Sequence, residues 1–151
     1  MNLLSIFAGL CAFSACAFVG LWLKRRLVSK AEFYEDYYTY LLFASEKIGY
    51  ERMPIGELNQ AFFTKCDRAF SSFLRGENPA ISLSDGEIKE VEDYLAQIGT
   101  TDADTQIASL KGKCAEMKRY AEGDCVKFRK DGALYFKLGV LLGLVAFILL
   151  A

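Results

Sequence analysis

The sequence closes with LGVLLGLVAFILLA, residues 138–151, an uninterrupted apolar run. This run alone is too short for a membrane span, because a helix needs about 20 predominantly apolar residues to cross the hydrocarbon core. With ALYFK in front of it, it becomes a helix of about 28 Å against about 30 Å of hydrocarbon. Lys137 lies near the start of this longer segment, where a long side chain can reach the headgroups. We therefore predict a C-terminal transmembrane helix over residues 133–151; the alternative is an apolar tail packed on the first helix at the interface.

A second uncharged stretch covers residues 3–23 and is long enough to cross a bilayer. No Lys or Arg precedes it, and Lys24, Arg25 and Arg26 follow it directly. A secretory signal peptide has the opposite order, with its positive charges before the apolar run. The pattern therefore predicts a retained N-terminal transmembrane helix over residues 1–23.

The segment between the two apolar runs has the pattern of amphipathic helices. Two prolines and no run of alternating β-branched residues leave little room for a sheet. Residues three and four apart predict one buried face on a first helix, which ends at Gly49 and Pro54. This face consists of Tyr34, Tyr37, Tyr38, Leu41, Ser45 and Ile48. A second helix is predicted from Pro54 to Gly76.

Two further helices complete the predicted fold. Ser84 and Glu87 form a candidate capping box for a short helix that ends at Gly99. From Asp104 onward no proline interrupts the apolar stripe, which predicts one helix of about 72 Å through the C-terminal span. The predicted fold is therefore all-α. Two transmembrane helices, residues 1–23 and 133–151, extend into an antiparallel cytoplasmic bundle of about four helices, residues 24–132.

Basic residues flank both spans on the side of the middle segment. They are Lys24, Arg25, Arg26 and Lys30 after the first span, and Lys127, Arg129, Lys130 and Lys137 around the start of the second. Cytoplasmic flanks of membrane helices carry an excess of Lys and Arg. The pattern predicts a cell-membrane protein with residues 24–136 in the cytoplasm and both termini outside.

Small residues recur along both spans. They are Ala8, Ala12, Cys16 and Gly20 in the first span and Gly139 and Gly143 in the second. Small side chains allow the close backbone approach on which helix association in lipid depends. We expect these residues to form a packing face. It can lie against the other span or against a second copy of the chain, and the sequence leaves both arrangements open.

The middle segment is acidic. Residues 31–126 contain 18 Asp and Glu against 10 Lys and Arg. If the helices pair as a hairpin, the most acidic part, residues 77–104, is expected farthest from the membrane. Two interpretations stand: a solvated face that keeps the head off anionic lipid, or a docking site for a basic partner. The candidate docking residues are Asp85, Glu87, Glu90, Glu92 and Asp93.

The sequence favours no catalytic, metal or cofactor site. It has no His, no Gly-rich phosphate loop and no serine in a nucleophile elbow. Its five cysteines show no paired spacing, and TTDADTQ, residues 100–106, lacks the Gly and distal Glu of a calcium loop. The near balance of total charge gives no reason to expect nucleic acid as a partner. We predict a protein that is not an enzyme.

Three patches in order resemble the stage III sporulation protein AB family of endospore-forming bacteria. SEKIGYERMPIGELNQAF, residues 45–62, resembles the family's hinge between its first two cytoplasmic helices, here Gly49, Tyr50 and Pro54. LAQIGTTDADTQIASLKG, residues 95–112, resembles its Leu-Gly-x-x-Asp stretch. YFKLGVLLGLVAFILLA, residues 135–151, resembles its closing anchor. The family has a longer middle than RGENPAISLSDGE, residues 75–87, so contacts made by that segment do not carry over.

The resemblance implies a membrane component of the secretion-like channel between mother cell and forespore, in the mother-cell membrane. The family is similar to the inner-membrane platform proteins of type II secretion and type IV pilus systems. The implied partners are the hexameric secretion-type ATPase of the same operon and the membrane channel or ring subunits, besides the lipid bilayer. The alternative function is a self-associating membrane scaffold or small regulator, a homo-oligomer without ATPase contact.

Overall fold

The computed structural model describes residues 3–66, 68–77 and 82–150, with the side chains of helix α1 from residue 5 onward. The predicted all-α fold is confirmed, because every regular element in these residues is helical. The helices are α1 (Leu3–Glu51), α2 (Ile55–Lys65), α3 (Ala69–Leu74), α4 (Asp85–Gln97), α5 (Ala103–Tyr120) and α6 (Val126–Leu150), with a π-helical turn (Ala121–Cys125) between α5 and α6. The outermost residues of the predicted spans, 1, 2 and 151, lie outside the described residues.

The chain divides into two compact units. We call Met1–Ser29 with Val126–Ala151 the hairpin unit, and Lys30–Cys125 the head unit. Two helical stretches, Ser5–Glu51 and Ala103–Leu150, each contain a segment long and apolar enough to cross a membrane. In both stretches that segment falls in the hairpin unit, since the charged residues of the chain begin at Lys24 and end at Lys137.

In the head unit, α1 is the central helix and is buried on two sides. Its first buried side packs against α2 and α3 through an aromatic cluster, in which Phe70 has no solvent exposure. The ring of Phe70 lies 5.3 Å from that of Phe33 and 5.4 Å from those of Tyr37 and Tyr40, between centroids. The buried face predicted for the first helix is therefore only part of the buried surface of α1, which also includes Phe33 and Tyr40.

The second buried side of α1 faces α4 and α5. The rings of Tyr34 and Tyr120 lie 4.6 Å apart between centroids, and the Tyr34 hydroxyl donates to Glu87 in α4 over 3.2 Å. Helices α4 and α5 contact each other directly, because the hydroxyls of Tyr94 and Ser109 are 3.3 Å apart. The head is thus a layered bundle with α1 in the middle.

Helix ends differ from the predictions at two places. The single helix predicted from Pro54 to Gly76 is two helices, because the chain turns extended at Cys66 and Arg68. The Ser71 hydroxyl donates to the Cys66 carbonyl and so satisfies backbone at the break. Gly49 does not end α1, which continues to Glu51; the turn follows at Arg52, whose φ of 48° is the left-handed conformation that ends many helices.

The predicted capping box at the start of α4 is confirmed, and α5 begins at Ala103, one residue before the predicted Asp104. Ser84 and Glu87 form a complete capping box at α4, and the Asp102 carboxylate accepts from the Thr105 backbone N–H, 3.1 Å away, at α5. Each pair satisfies backbone donors that a helix start leaves without partners. The helix predicted from Asp104 onward is helical as far as Leu150, but the π-helical turn inserts a wider turn into it.

Candidate functional site

Two glycines on opposite helices of the hairpin unit, Gly20 and Gly139, are in close backbone contact. A Cβ atom on Gly139 would lie 2.8 Å from the Cys16 carbonyl oxygen and 3.0 Å from the Gly20 Cα. The first distance is shorter than Cβ contacts in proteins and the second is tighter than most of them, so a side chain at Gly139 would require the backbones of α1 and α6 to move apart. The structure thus brings three of the predicted packing residues together within one chain.

We call this line of contacts between α1 and α6 the seam, and it continues in antiparallel register toward the start of α1 and the end of α6. A Cβ on Gly143 would lie 3.1 Å from the Phe13 carbonyl oxygen, and one on Gly9 would lie 3.3 Å from that of Phe147. The four residues from Phe13 back to Gly9 on α1 are matched by the four residues from Gly143 to Phe147 on α6. The seam therefore alternates glycine on one helix with backbone or a phenyl ring on the other.

Ala8 does not take the position that the small-residue row predicted for it. It is exposed, and Gly9 makes the contact with Phe147 instead. An α-helix advances about 100° per residue, so Ala8 is about 80° around the helix from Cys16, whereas Gly9 is within about 20° of it. Ala12 is half-buried. A row of every fourth residue winds slowly around the helix, so Ala8 lies off the seam that α1 and α6 form within one chain.

The basic residues near the spans gather at one end of the hairpin unit. A Cβ on Gly132 would lie 3.4 Å from the Lys24 Cα, and the Lys24 ammonium lies 5.3 Å from the centre of the Phe136 ring. Around this contact the remaining basic residues are exposed; they are Arg25, Arg26, Lys127, Arg129 and Lys130. This end of the hairpin unit therefore presents a collar of positive charge, while the flanks of both helices carry exposed apolar side chains.

The acidic residues of α4 differ in what they contact. Glu87 forms an ion pair with Lys30, whose ammonium lies 2.6 Å from its carboxylate. The Glu87 carboxylate also accepts hydrogen bonds from the backbone N–H and the hydroxyl of Ser84 in the capping box. Burial raises the pKa of the Glu87 carboxyl, but hydrogen bonds from Lys30 and Ser84 outweigh burial and lower it to about 2. Glu87 thus has structural partners inside the head unit.

Glu90 also has an ion-pair partner, whereas the three remaining candidate docking residues have no salt bridge to another described residue. The Lys113 ammonium lies 3.4 Å from Glu90 and 3.0 Å from Glu116. Asp85, Glu92 and Asp93 are exposed, and none of them has a salt bridge to another described residue. These three carboxylates form the outer acidic face of α4, on the half of the helix turned away from the buried Val91.

The acidic helix α4 lies along the part of α1 that belongs to the head unit. Its first turn is beside Lys30 and Tyr34, at the beginning of the head unit's part of α1. Its C-terminal end is beside α2, where Gly99 lies against the Ile55 side chain. Helix α4 therefore runs along α1 in the same direction.

A cleft of about 200 Å³ opens between α1, α4 and α5 in the head unit. Its lining residues are Tyr34, Tyr37, Glu87, Glu90, Val91, Lys113, Glu116, Met117 and Tyr120. The Tyr37 side chain is 1 % exposed, and its hydroxyl has no hydrogen-bond partner among the described residues. Burial, followed by nearby groups that include Glu90 and Glu116, raises the pKa of this hydroxyl.

The predicted hinge residues surround the turn between α1 and α2. Tyr50 is 89 % exposed, and Pro54 occupies the N-cap of α2. Gly49 is inside α1, where a Cβ atom would lie 3.9 Å from the Ile107 side chain and fit without strain. The turn itself is formed by residues 52–54.

Several residues of the seam and of the cleft were not predicted from the sequence. Phe13, Phe147 and Gly9 complete the seam, and Glu116 and Tyr37 complete the cleft. The 100° advance per residue was sufficient to find Gly9 from Cys16. Nothing local in the sequence joins Tyr37 to Glu116, because their proximity depends on the packing of α5 on α1.

The part of the chain that carries α3 to α6 is similar to known proteins. No curated protein and no solved structure matches the chain significantly. Residues 64–151, more than half of the chain, match the sequence model for stage III sporulation protein AB. Two of the three resembling patches, residues 95–112 and 135–151, lie inside this match. The all-helical fold with two apolar helices agrees with it, and the chain belongs to the stage III sporulation protein AB family.

Proposed function

We propose that this sporulation protein is a non-enzymatic membrane platform component of the secretion-like channel between mother cell and forespore. In this proposal, the head docks a secretion-type ATPase through the outer acidic face of α4. The observation that supports it most is the set Asp85, Glu92 and Asp93, which are exposed and have no ion pair to another described residue. Three uncompensated carboxylates on one helix face favour and steer a basic partner.

The proposal includes an orientation in the membrane. The basic collar holds Lys24, Arg25 and Arg26 of one helix and Lys127 and Lys130 of the other. The positive-inside rule places such a collar on the cytoplasmic side. Residues 24–136 then face the cytoplasm of the mother cell, and both termini lie outside it. Single cysteines added at each terminus of a cysteine-free variant test this: an impermeant maleimide should label both in intact cells that express the protein without forming a forespore, and protection of either contradicts the orientation.

Charge reversal on the outer acidic face tests the docking. The variant Glu92→Lys with Asp93→Lys should lose most capture of the purified ATPase by the full chain in nanodiscs. The matched control is Glu46→Lys with Glu57→Lys, which reverses two exposed acids elsewhere on the head unit. Unchanged capture by the α4 variant, or equal loss in both variants, contradicts docking at this face.

The second candidate function is a self-associating scaffold or small regulator without ATPase contact. It was motivated by the small residues of both spans, and Gly20 and Gly139 are already in contact with each other within one chain. Those residues therefore give self-association less support than the sequence alone did. A full chain that forms oligomers in nanodiscs and captures no ATPase would favour this second function.

A further inference from the structure

The cleft between α1, α4 and α5 has the size of a site for one side chain. Pockets for drug-sized ligands have about 300–1,000 Å³, and this cleft has about 200 Å³. A nucleotide does not fit such a volume, whereas the end of one long side chain does. The cleft is also open to a partner, because the Glu90 and Glu116 side chains at its rim are 70 % and 57 % exposed.

The Tyr37 hydroxyl is the group in the cleft that most requires a ligand. Tyr37 is one of the lining residues of the cleft, and its hydroxyl is buried and has no hydrogen-bond partner among the described residues. A buried hydroxyl without a partner costs free energy, so such groups in native proteins call for an explanation. An N–H donor that enters the cleft would give this oxygen the hydrogen bond that it lacks.

The charges of the cleft favour a cation. Three carboxylates line it, Glu87, Glu90 and Glu116, and Lys113 is the basic residue among its lining residues. Glu87 is paired with Lys30, and Lys113 is shared between Glu90 and Glu116. Lys113 therefore shows that a cation is stable between these two carboxylates, and each carboxylate retains acceptor capacity for a second one.

The aromatic lining favours arginine over lysine. Tyr34 and Tyr120 present adjacent rings whose centroids are 4.6 Å apart. A guanidinium group is planar, stacks on aromatic faces and donates several hydrogen bonds in one plane, whereas an ammonium is a compact and strongly hydrated charge. We propose that the cleft receives the guanidinium group of one arginine side chain from a partner protein, with Glu90, Glu116 and the Tyr37 hydroxyl as acceptors. This inference rests on the proposed docking function and names an anchoring point for it.

Titration with a model ligand tests the inference without the partner. The full chain, labelled with 3-fluorotyrosine and held in nanodiscs, is titrated with N-acetyl-arginine amide, and the Tyr37→Phe variant assigns the Tyr37 fluorine resonance. We expect a saturable shift of the Tyr37 resonance. The uncharged analogue N-acetyl-citrulline amide should leave it in place.

Matched variants locate the binding. Glu90→Gln with Glu116→Gln should weaken the binding roughly tenfold or more, because it removes both charged acceptors. Glu92→Gln with Asp93→Gln should bind as the wild type does. The absence of a saturable shift, an equal shift with citrulline, or binding that the Glu90 and Glu116 changes leave intact would each overturn the inference. Tyr37→Phe should unfold no more easily than the wild type; a clear loss of stability would mean that water already satisfies the hydroxyl and would count against the inference.

The two proposals fail differently. If the arginine amide binds but the ATPase is captured equally with and without Glu92 and Asp93, the docking function is wrong and the cleft remains a guanidinium site. If capture depends on Glu92 and Asp93 but no arginine amide binds, the docking function stands and the cleft is not its anchor.

Discussion

Gly139 lies so close to Gly20 that a Cβ atom on Gly139 would be 3.0 Å from the Gly20 Cα. In lipid, no hydrophobic driving force holds two helices together, so such close packing is a main source of their association. The contact is therefore a tightly packed part of the hairpin unit, and it is sensitive to added volume.

Gly139→Leu should open the hairpin unit. The new side chain meets backbone atoms of Cys16 and Gly20 rather than a flexible side chain, and overpacking of this kind costs about 1–3 kcal/mol or more. Trp22, the only tryptophan of the chain, lies in the same unit, so its fluorescence during titration with SDS measures the change. The unfolding midpoint should fall to lower SDS. Val145→Leu, at a position 54 % exposed, is the control and should keep the wild-type midpoint; equal midpoints for all three proteins would contradict the seam.

Phe70→Ala should destabilise the head unit more than any change on its surface. The ring has no solvent exposure and contacts five other rings in the aromatic cluster. Removal of a fully buried phenylalanine costs about 3–5 kcal/mol, which should appear as a lower midpoint in thermal unfolding followed by circular dichroism. Tyr50→Ala, at a position 89 % exposed, should leave the midpoint nearly unchanged. A small effect of Phe70→Ala would show that the cluster is not the centre of the head.

Glu87 should contribute stability that is lost in acid. Its pKa is about 2 in the folded chain against 4.5 for the ordinary carboxyl, so the folded state favours the ionised form. That contribution is complete above about pH 4.5 and disappears as the pH falls toward about 2. Glu87→Gln should therefore show a shallower loss of stability over this window, measured by denaturant unfolding. Glu92→Gln should keep the wild-type slope, and an unchanged slope in Glu87→Gln would contradict the ion pair with Lys30.

Arg68→Ala should destabilise the head unit at neutral pH and much less in acid. Arg68 donates to the buried Asp36 carboxylate over 3.1 Å. Burial raises the pKa of Asp36, and Arg68 opposes that rise. Without Arg68, the folded state holds an unpaired buried charge at pH 7, which we expect to cost about 1–3 kcal/mol because Arg68 itself is largely exposed. Below the ordinary Asp value of 3.8 the carboxyl is protonated in both states, so the difference should vanish.

Denaturant unfolding at several pH values measures this effect. Arg119→Ala is the control, since Arg119 is exposed on α5 and should produce no pH-dependent difference. A loss of stability in Arg68→Ala that is equal at neutral and acidic pH would mean that packing, rather than the charge of Asp36, accounts for it.

The sequence by itself determined the elements that depend on neighbouring residues. Long uncharged runs specify the two apolar helices, since length and composition alone decide whether a helix is apolar enough to cross a membrane. Ser84 with Glu87 and Asp102 with Thr105 specify the starts of α4 and α5, because capping joins residues three positions apart. The all-α fold followed from the same local periodicity.

The tertiary structure decided everything that depends on residues distant in sequence. It selected Gly9 over Ala8 at the seam, because the facing surface of α6 follows the helical rotation rather than a four-residue row. It also paired Glu87 with Lys30 and Glu90 with Lys113, whereas Glu92 has no salt bridge to another described residue. The cleft that joins Tyr37, Glu90 and Glu116 exists only because α4 and α5 pack on the same side of α1, and no local pattern encodes which helices become neighbours.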